Sequence, residues 1–538
     1  MADKMVAASA ESAPSLGLAQ AAAARHGVAM AVARHTATRA VVTKLDRRLP
    51  VQDVARIAAE IAESDPSVLY AEPDRMMKPA AAPNDPMYAS QWHYKSAGGG
   101  INAESAWGLS TGAGVVVAVL DTGYRRHVDL AANLLNGYDF IHDPWVARDG
   151  GGRDSGALDP GDWTTANECE NGEEAADSSW HGTHVAGTIA AVSNNGVGVA
   201  GVAYNAKILP VRVLGRCGGY NSDIADAIIW ASGGSVAGVP ANANPARVIN
   251  LSLGGAGACD STTQAAVNSA RSRNSVVVVA AGNSADNAAN YSPASCAGVI
   301  TVGSVGRLGA RAGYSNFGSK LAVAAPGGDM STGTANGVLS TLNAGAQGPG
   351  ADSYAYYQGT SMAAPHVAGV VALMLSRNPA LTPTQVQARL RANAKFFPSG
   401  EGDLGAGIVD AYWSALSATA TNVSERESNN TLATAHFITA TNASVSGSMA
   451  STGDVDYYRV ALPAGKQLRA SMASVSTDRD FELAVLNSAG TVLGSSEKGA
   501  GLAERVLFTN KAAGTVSVYV RVSYFSGGAG SYNLSLKW

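Results

Sequence analysis

Three short motifs carry side chains of the kind hydrolytic chemistry uses: AVLDTG, ending an apolar run in Asp121; HGTHVAG, opening on His181; and GTSMAAP, holding Ser361. A serine hydroxyl is a weak nucleophile at neutral pH, so it needs a base within hydrogen-bond reach to take its proton as it attacks. His181 is a side chain of that type. Its imidazole needs a carboxylate on the far ring nitrogen, which fixes the tautomer and stabilises the ring when it charges. Asp121 would supply it. The tetrahedral intermediate then needs a donor aimed at its negative oxygen. Asn283, in VVAAGN, is the candidate, the alternative being an ordinary Gly-Asn turn after a strand.

These residues have to be placed by regular elements. From about Asn84 to Ala420 the runs VVVAVLD, AKILPVRVL, ARVINLSLG, SVVVVAAGN, GVITVGSV and KLAVAAPG alternate with helical patterns. Such runs suit a parallel sheet covered on both faces, and the chemistry of such a sheet lies at the carboxyl ends of its strands. Asp121 and Asn283 fall there. Ser361 stands ahead of MAAPHVAGVVALML, so it is expected at a helix N-terminus, where the dipole faces the developing oxyanion. Gly359, Ala363 and Ala364 keep bulk away from it. His184 and His366 are expected to be packed helical residues.

On either side the pattern changes. Between about Val28 and Arg75, VAMAVARH and TRAVVTKL alternate as strands, and VQDVARIAAEIAES puts Val51, Val54, Ile57, Ala58 and Ile61 on one helical face. After about Glu425 short alternating strands such as VDYYRVAL, FELAVLN and VSVYVRVSY follow one another without helices, predicting a β-sandwich or jelly roll. At 538 residues the chain is too long for one core. The expected divisions are 1–27, a disordered or remnant segment; 28–79, a small α+β unit; 80–420, the α/β domain; and 425–538, the sandwich.

The composition excludes several function classes. With 38 basic against 42 acidic residues and no basic run interleaved with aromatics, nucleic-acid binding has no support. No apolar stretch is long enough to span a bilayer, and no signal peptide is evident at the N-terminus. Cys169, Cys217, Cys259 and Cys296 include no CxxC pair, so two disulfides are the better reading, and these persist in oxidising compartments. Cys259 follows SLGG and Cys296 follows the Asn283 loop, so these two could brace the same place, leaving Cys169 with Cys217; three pairings are open.

Together, in the order Asp, His, Ser, the motifs resemble the subtilisin-like serine proteases over roughly residues 28–420. The resemblance implies the subtilisin-like fold, a triad of Asp121, His181 and Ser361, and Asn283 as the oxyanion donor. It implies that protein or peptide substrates bind as an added strand against Ser252, Leu253 and Gly254 and against Gly218 and Gly219 beside Tyr220. No acidic cluster surrounds these stretches, so broad cleavage after apolar or uncharged residues is expected. The loop AAVSNNGVGVAG resembles the family's calcium site, with carbonyls from Val192, Val197 and Val199, the amide of Asn195, and the carboxylates of Asp85 and Asp129. The stretch with Asp149, Asp154, Asp159 and Asp162 is either a further calcium loop or a solvated insertion. The unit at 28–79 resembles these proteases' propeptide, an intramolecular inhibitor expected to be cut between Lys78 and Asn84.

ERESNNTLATA and GDVDYYRVAL resemble the bacterial pre-peptidase C-terminal domain, in which Asp454 and Asp456 either bind calcium or hold a turn. The expectation is thus a secreted, monomeric serine endopeptidase made as a self-processed precursor. Two other classes compete: a catalytically silent extracellular protein attached through its sandwich, and a glycosidase with paired carboxylates, for which no pair stands in a recognisable setting.

Overall fold

The computed structural model describes residues 2–9, 16–36, 40–65, 67–74, 82–170, 172–398, 400 and 402–538. Two compact units divide the chain, Met1–Ala81 and Ala82–Trp538.

In the first unit a four-stranded antiparallel sheet runs in the order Met30–His35, Val41–Leu49, Ala2–Ser9, Val68–Pro73. The helix Val51–Ser64 buries Val54, Ile57, Ala58 and Ile61, the apolar face expected for it, against Met5, Met30 and Leu45. The side chain of Val51 lies outside the described residues. Residues 2–9 and 16–25 depart from the disordered or remnant segment expected there. Ala2–Ser9 is an inner strand between two partners, and Leu16–Arg25 is a helix burying Ala19, Ala22 and Ala23. Alanines bury little area each, but they allow a helix to approach a second one closely, which an Ala-rich composition read alone does not reveal. Of the expected cleavage stretch, residues 78–81 lie outside the described residues.

The second unit is built on a seven-stranded parallel sheet in the order Leu321–Pro326, Ile300–Val305, Val276–Ala280, Val248–Leu251, Val116–Asp121, Lys207–Arg212, Tyr138–Asp139. Its strands are apolar on both faces because both faces are covered. Val117, Val119, Val276 and Val278 pack with the helices His181–Ala190 and Thr360–Arg377. Ala118, Leu120, Val277 and Val279 pack with Asn221–Ala231 and Ser261–Ser272 on the other side. Since the strands are parallel, all their carboxyl ends fall on one edge.

The C-terminal region holds two five-stranded sheets, with Val445, Leu468, Leu534, Tyr458, Val460 and Val520 between them. The expected sandwich is thus found, mostly antiparallel, with parallel pairs where Thr421–Ser424 meets Asn442–Met449 and His436–Ile438 meets Val455–Leu462. It does not stand apart from the α/β region. The strand Gln467–Ser474 is buried from Leu468 to Ser474, whereas a half-exposed strand would alternate. Leu468, Ala470 and Met472 face the sandwich core, while Arg469 donates to Asn393 Oδ1 at 2.9 Å and Ser471 Oγ donates to the Ala392 carbonyl. Arg391 crosses the other way, to the carbonyls of Ser474 (3.2 Å) and Gly501 (3.4 Å).

Candidate active site

A cleft of about 760 Å³ at the carboxyl edge of the sheet is lined by His181, Ser361 and Asn283, by Ser252, Leu253 and Gly254, and by Gly218 and Gly219. Each arrives from a different element. Asp121 ends a central strand and is fully buried. His181 opens a helix whose preceding residue, Trp180, has left-handed backbone (φ +48°) and is anchored through its indole N–H to the Gly345 carbonyl at 2.7 Å. His181 Nδ1 lies 2.8 Å from Asp121 Oδ1 and 3.0 Å from Oδ2. Thr122 holds the pair together, its N–H donating to Asp121 Oδ1 and its hydroxyl oxygen accepting from the Gly182 N–H.

The ring of His181 is 21% exposed. Burial works against its charged form, but the Asp121 carboxylate, by charge and hydrogen bond, and the more distant Asp162 and Asp159 outweigh it, so its pKa stands above the ordinary 6.5. That is the electrostatic condition for a base that must carry a proton transiently. His184 and His366 are fully buried, and burial presses them down to about 3 and about 4. They stay neutral, as packed histidines do.

Ser361 is the second residue of its helix, inside the first turn. Its hydroxyl donates to the Ser252 carbonyl at 3.2 Å, and no hydrogen bond joins it to His181 among the described residues. Productive proton transfer therefore requires rotation about the serine Cα–Cβ bond. Gly359, just before the helix, takes φ +150°, a conformation that L side chains rarely adopt. Asn283 Oδ1 accepts from both the N–H and the hydroxyl of Thr360 at 2.9 Å. With its oxygen so occupied, the side chain turns its amide N–H groups the other way, and the Ser361 N–H of the first helical turn has no intrahelical acceptor. Those are two donors for one oxyanion. Thr122 and Thr360 were not singled out from sequence. The signal was their place, each directly beside a residue that was.

The acidic stretch between Asp149 and Asp162 does not gather round one point. Asp149 pairs with Arg212 at 3.0 Å, Asp154 accepts from the Gly156 N–H, and Asp159 is buried and accepts from the Thr122 hydroxyl at 2.7 Å. Asp162 instead lines the cleft. A single acid is not the acidic cluster whose absence was expected, but residue 162, far from residues 218 and 252 in the chain, shares their cleft. Burial raises Asp159 to about 7. The disulfide Cys169–Cys217 ties this insertion to the Gly218–Gly219 wall, and Cys259–Cys296 is the second bond.

The expected calcium ligands do converge. Asp85 accepts from the N–H groups of Asn194 (2.9 Å) and Asn195 (3.3 Å), and Asp129 from the Asn195 amide (2.8 Å) and the Val199 N–H (2.9 Å). Both carboxylates are buried, 4% and 0% exposed, with no Lys or Arg ion pair among the described residues. Burial raises Asp129 and Asp85 adds to it. No described hydrogen bond reaches the carbonyls of Val192, Val197 or Val199. An all-oxygen set with uncompensated negative charge fits calcium, although Asn195 spends its amide oxygen on the Val197 N–H.

A second group lies in the sandwich, where Glu425, Glu427 and Asp456 present carboxylate oxygens within 4.8 Å of one another. Asp456 is fully buried with Oδ1 unpartnered, and Asn429, buried beside it, also has Oδ1 unpartnered. Burial pushes Asp456 up to about 8. Asp454, in contrast, holds a turn, accepting from the Ala450 N–H at 2.6 Å.

Residues 112–454 match the subtilase family, and residues 454–523 match the bacterial pre-peptidase C-terminal domain. An extracellular protease of Xanthomonas campestris pv. campestris is 54% identical over 372 residues, which is 69% of this chain and 63% of that protein. An extracellular basic protease of Dichelobacter nodosus is 47% identical over 367 residues, 66% of this chain and 59% of that one. The chain thus spans less than two thirds of the length of these two relatives. Thermitase of Thermoactinomyces vulgaris is 36% identical over 297 residues, 55% of this chain and 86% of that protein. A solved structure of a protease from Pseudoalteromonas arctica aligns with a TM-score of 0.62 and 61% identity, covering 63% of this chain and 100% of that one.

Proposed function

Because the chain belongs to the subtilase family, we propose that it is a secreted serine endopeptidase that hydrolyses peptide bonds through an acyl-enzyme. The observation that carries this reading is the Asp121–His181 pair opening onto the cleft that Ser361 and Asn283 share.

A substrate strand lies between Gly218–Gly219 and Ser252–Gly254, main chain to main chain, so that affinity comes from backbone hydrogen bonds and cleavage is broad. The Ser361 hydroxyl turns from the Ser252 carbonyl to His181 Nε2, gives up its proton and attacks the carbonyl carbon. Asp121 stabilises the imidazolium that results. The Asn283 amide and the Ser361 N–H receive the oxyanion. His181 then protonates the leaving amine, and a water deprotonated by the same ring releases the acid.

Export is supported by two disulfides, which persist in oxidising compartments, and by the extracellular naming of two relatives. Among the described residues no helix is long and apolar enough to cross a membrane. The first unit is the propeptide, an intramolecular inhibitor removed by self-cleavage, and the mature enzyme acts as a monomer. Calcium, held by Asp85, Asp129 and the carbonyls of the 192–199 loop and by Glu425, Glu427 and Asp456, would supply positive charge to these carboxylates, of which Asp85, Asp129 and Asp456 are buried.

The test is hydrolysis of casein by the purified protein, sensitive to phenylmethylsulfonyl fluoride, compared with Ser361→Ala. In subtilisin, loss of the nucleophile costs about 10⁶ in turnover, and the same order is expected here, with uncut precursor accumulating. Undiminished hydrolysis by the variant would reject the reading.

A further inference from the structure

One carboxylate in the cleft contributes to the steps above only by raising the His181 pKa. Asp162 accepts from the Ser179 N–H through Oδ1 and from the Ser179 hydroxyl through Oδ2, both at 2.6 Å. An ionised carboxylate has about four lone-pair positions, so two remain. It is rigidly placed. Gly161 before it takes φ +109°, and a Cβ there would stand 2.1 Å from the Gln347 carbonyl oxygen. Trp163 after it stacks under the Arg148 guanidinium at 3.7 Å. That arginine is engaged with Trp163 and Glu168, and no ion pair joins Asp162 to a Lys or Arg among the described residues. The carboxylate therefore lines the cleft without an ion-pair partner, and Arg148 and His181 feel its charge only through space.

Its position selects one substrate residue. Side chains of an extended strand alternate in direction. With the scissile carbonyl at Ser361 and its oxygen at Asn283, the residue bearing it lies beside Ala281 and Gly282, the cleft residues that directly precede Asn283. The residue before it points the other way, toward the side of His181, where Asp162 is held by its two hydrogen bonds to Ser179, two residues before that histidine. Resting on the proteolytic reading, we infer that Asp162 makes the enzyme prefer a cationic side chain, Arg or Lys, at the substrate position immediately before the residue whose carbonyl is attacked. The insertion that carries Asp162 is fastened to the Gly218–Gly219 wall by Cys169–Cys217, so the charge and the strand it reads are held in one frame.

Three fluorogenic peptides differing only at that position, Arg, Ala or Glu, test the inference on the processed enzyme. At low ionic strength kcat/KM is expected to favour Arg over Ala by about fivefold and to place Glu last, the scale of a solvent-accessible ion pair. The preference should shrink in about 0.5 M salt, which needs no variant. Asp162→Asn should bring the Arg-to-Ala ratio to about 1, whereas a carboxylate that only positioned Ser179 would change all three peptides alike. Equal rates on the three peptides, or an unchanged ratio in Asp162→Asn, would overturn the inference and leave the proteolytic reading standing. No hydrolysis of any peptide would overturn both.

Discussion

At the carboxyl edge of the parallel sheet, His181, Asn283 and Asp162 meet at an open cleft, whereas at the seam with the β-sandwich Arg389, Arg391 and Arg469 are sealed from water at 2%, 4% and 3% exposure. The seam spends most of its donors within the chain: Arg389 donates to the Ser417 and Ala420 carbonyls, Arg391 to those of Ala322, Ser474 and Gly501, and Arg469 to Asn393, while Nε of Arg389 and Arg391 and Nη2 of Arg469 stay buried without a partner. Burial lowers these three guanidinium groups to about 10, 10 and 9, so they remain charged at neutral pH. The cleft leaves donors unspent, on Asn283 and in the first turn of the Ser361 helix. Donors left open at a cleft can take up a ligand; at the seam each arginine is held by carbonyls or an amide of the chain itself.

That contrast can be broken by substitution on either side. The largest effect is expected at the cleft, where Asn283→Ala should lower kcat by about 10² to 10³ with little change in KM or thermal stability, as loss of an oxyanion donor does in subtilisin. Steady-state kinetics beside a melting curve would show the split. At the seam the pattern should invert. Arg391→Ala strands buried carbonyls on both sides and is expected to cost about 3 kcal/mol of stability, read by urea unfolding, with kcat near wild type. A change in kcat without loss of stability would mean that the sandwich acts on the cleft.

Chelation sharpens the comparison next. If calcium compensates the Asp85–Asp129 and Glu425–Asp456 carboxylates, a concentration of about 100 times its Kd contributes ~2.7 kcal/mol, and EGTA should lower the melting temperature. Asp456→Asn should reduce that response, and an unchanged melting curve in EGTA would remove both sites. The smallest effect concerns pH. His181 must be neutral to accept a proton, and its folded pKa is raised, so kcat/KM should fall as pH drops through a midpoint above 6.5. Asp162→Asn removes one of the charges that raise it, and the acid limb should move to lower pH.

The motifs at Asp121, His181 and Ser361 were legible because each chemical role demands one residue type, and because small residues and glycines must surround a nucleophile that a substrate approaches. The buried strands were legible because a sheet covered on both sides needs unbroken apolar runs. The helix Leu16–Arg25 was not legible, since alanines that pack a helix look the same in sequence as alanines that do not. Asp162 was seen, but only as one acid in a stretch that admitted a calcium loop or a solvated insertion. Its neighbours Asp149, Asp154 and Asp159 went to Arg212, Gly156 and Thr122 instead.

Composition and local order thus determined what the chain can react with and which elements would hold those groups, because periodicity and residue type are local properties. Only the tertiary structure decided which charges stand alone and which are answered. A carboxylate's partner is fixed by distance in space, and the residues that meet Asp162, Asp456 and Arg391 come from parts of the chain whose approach no local pattern encodes.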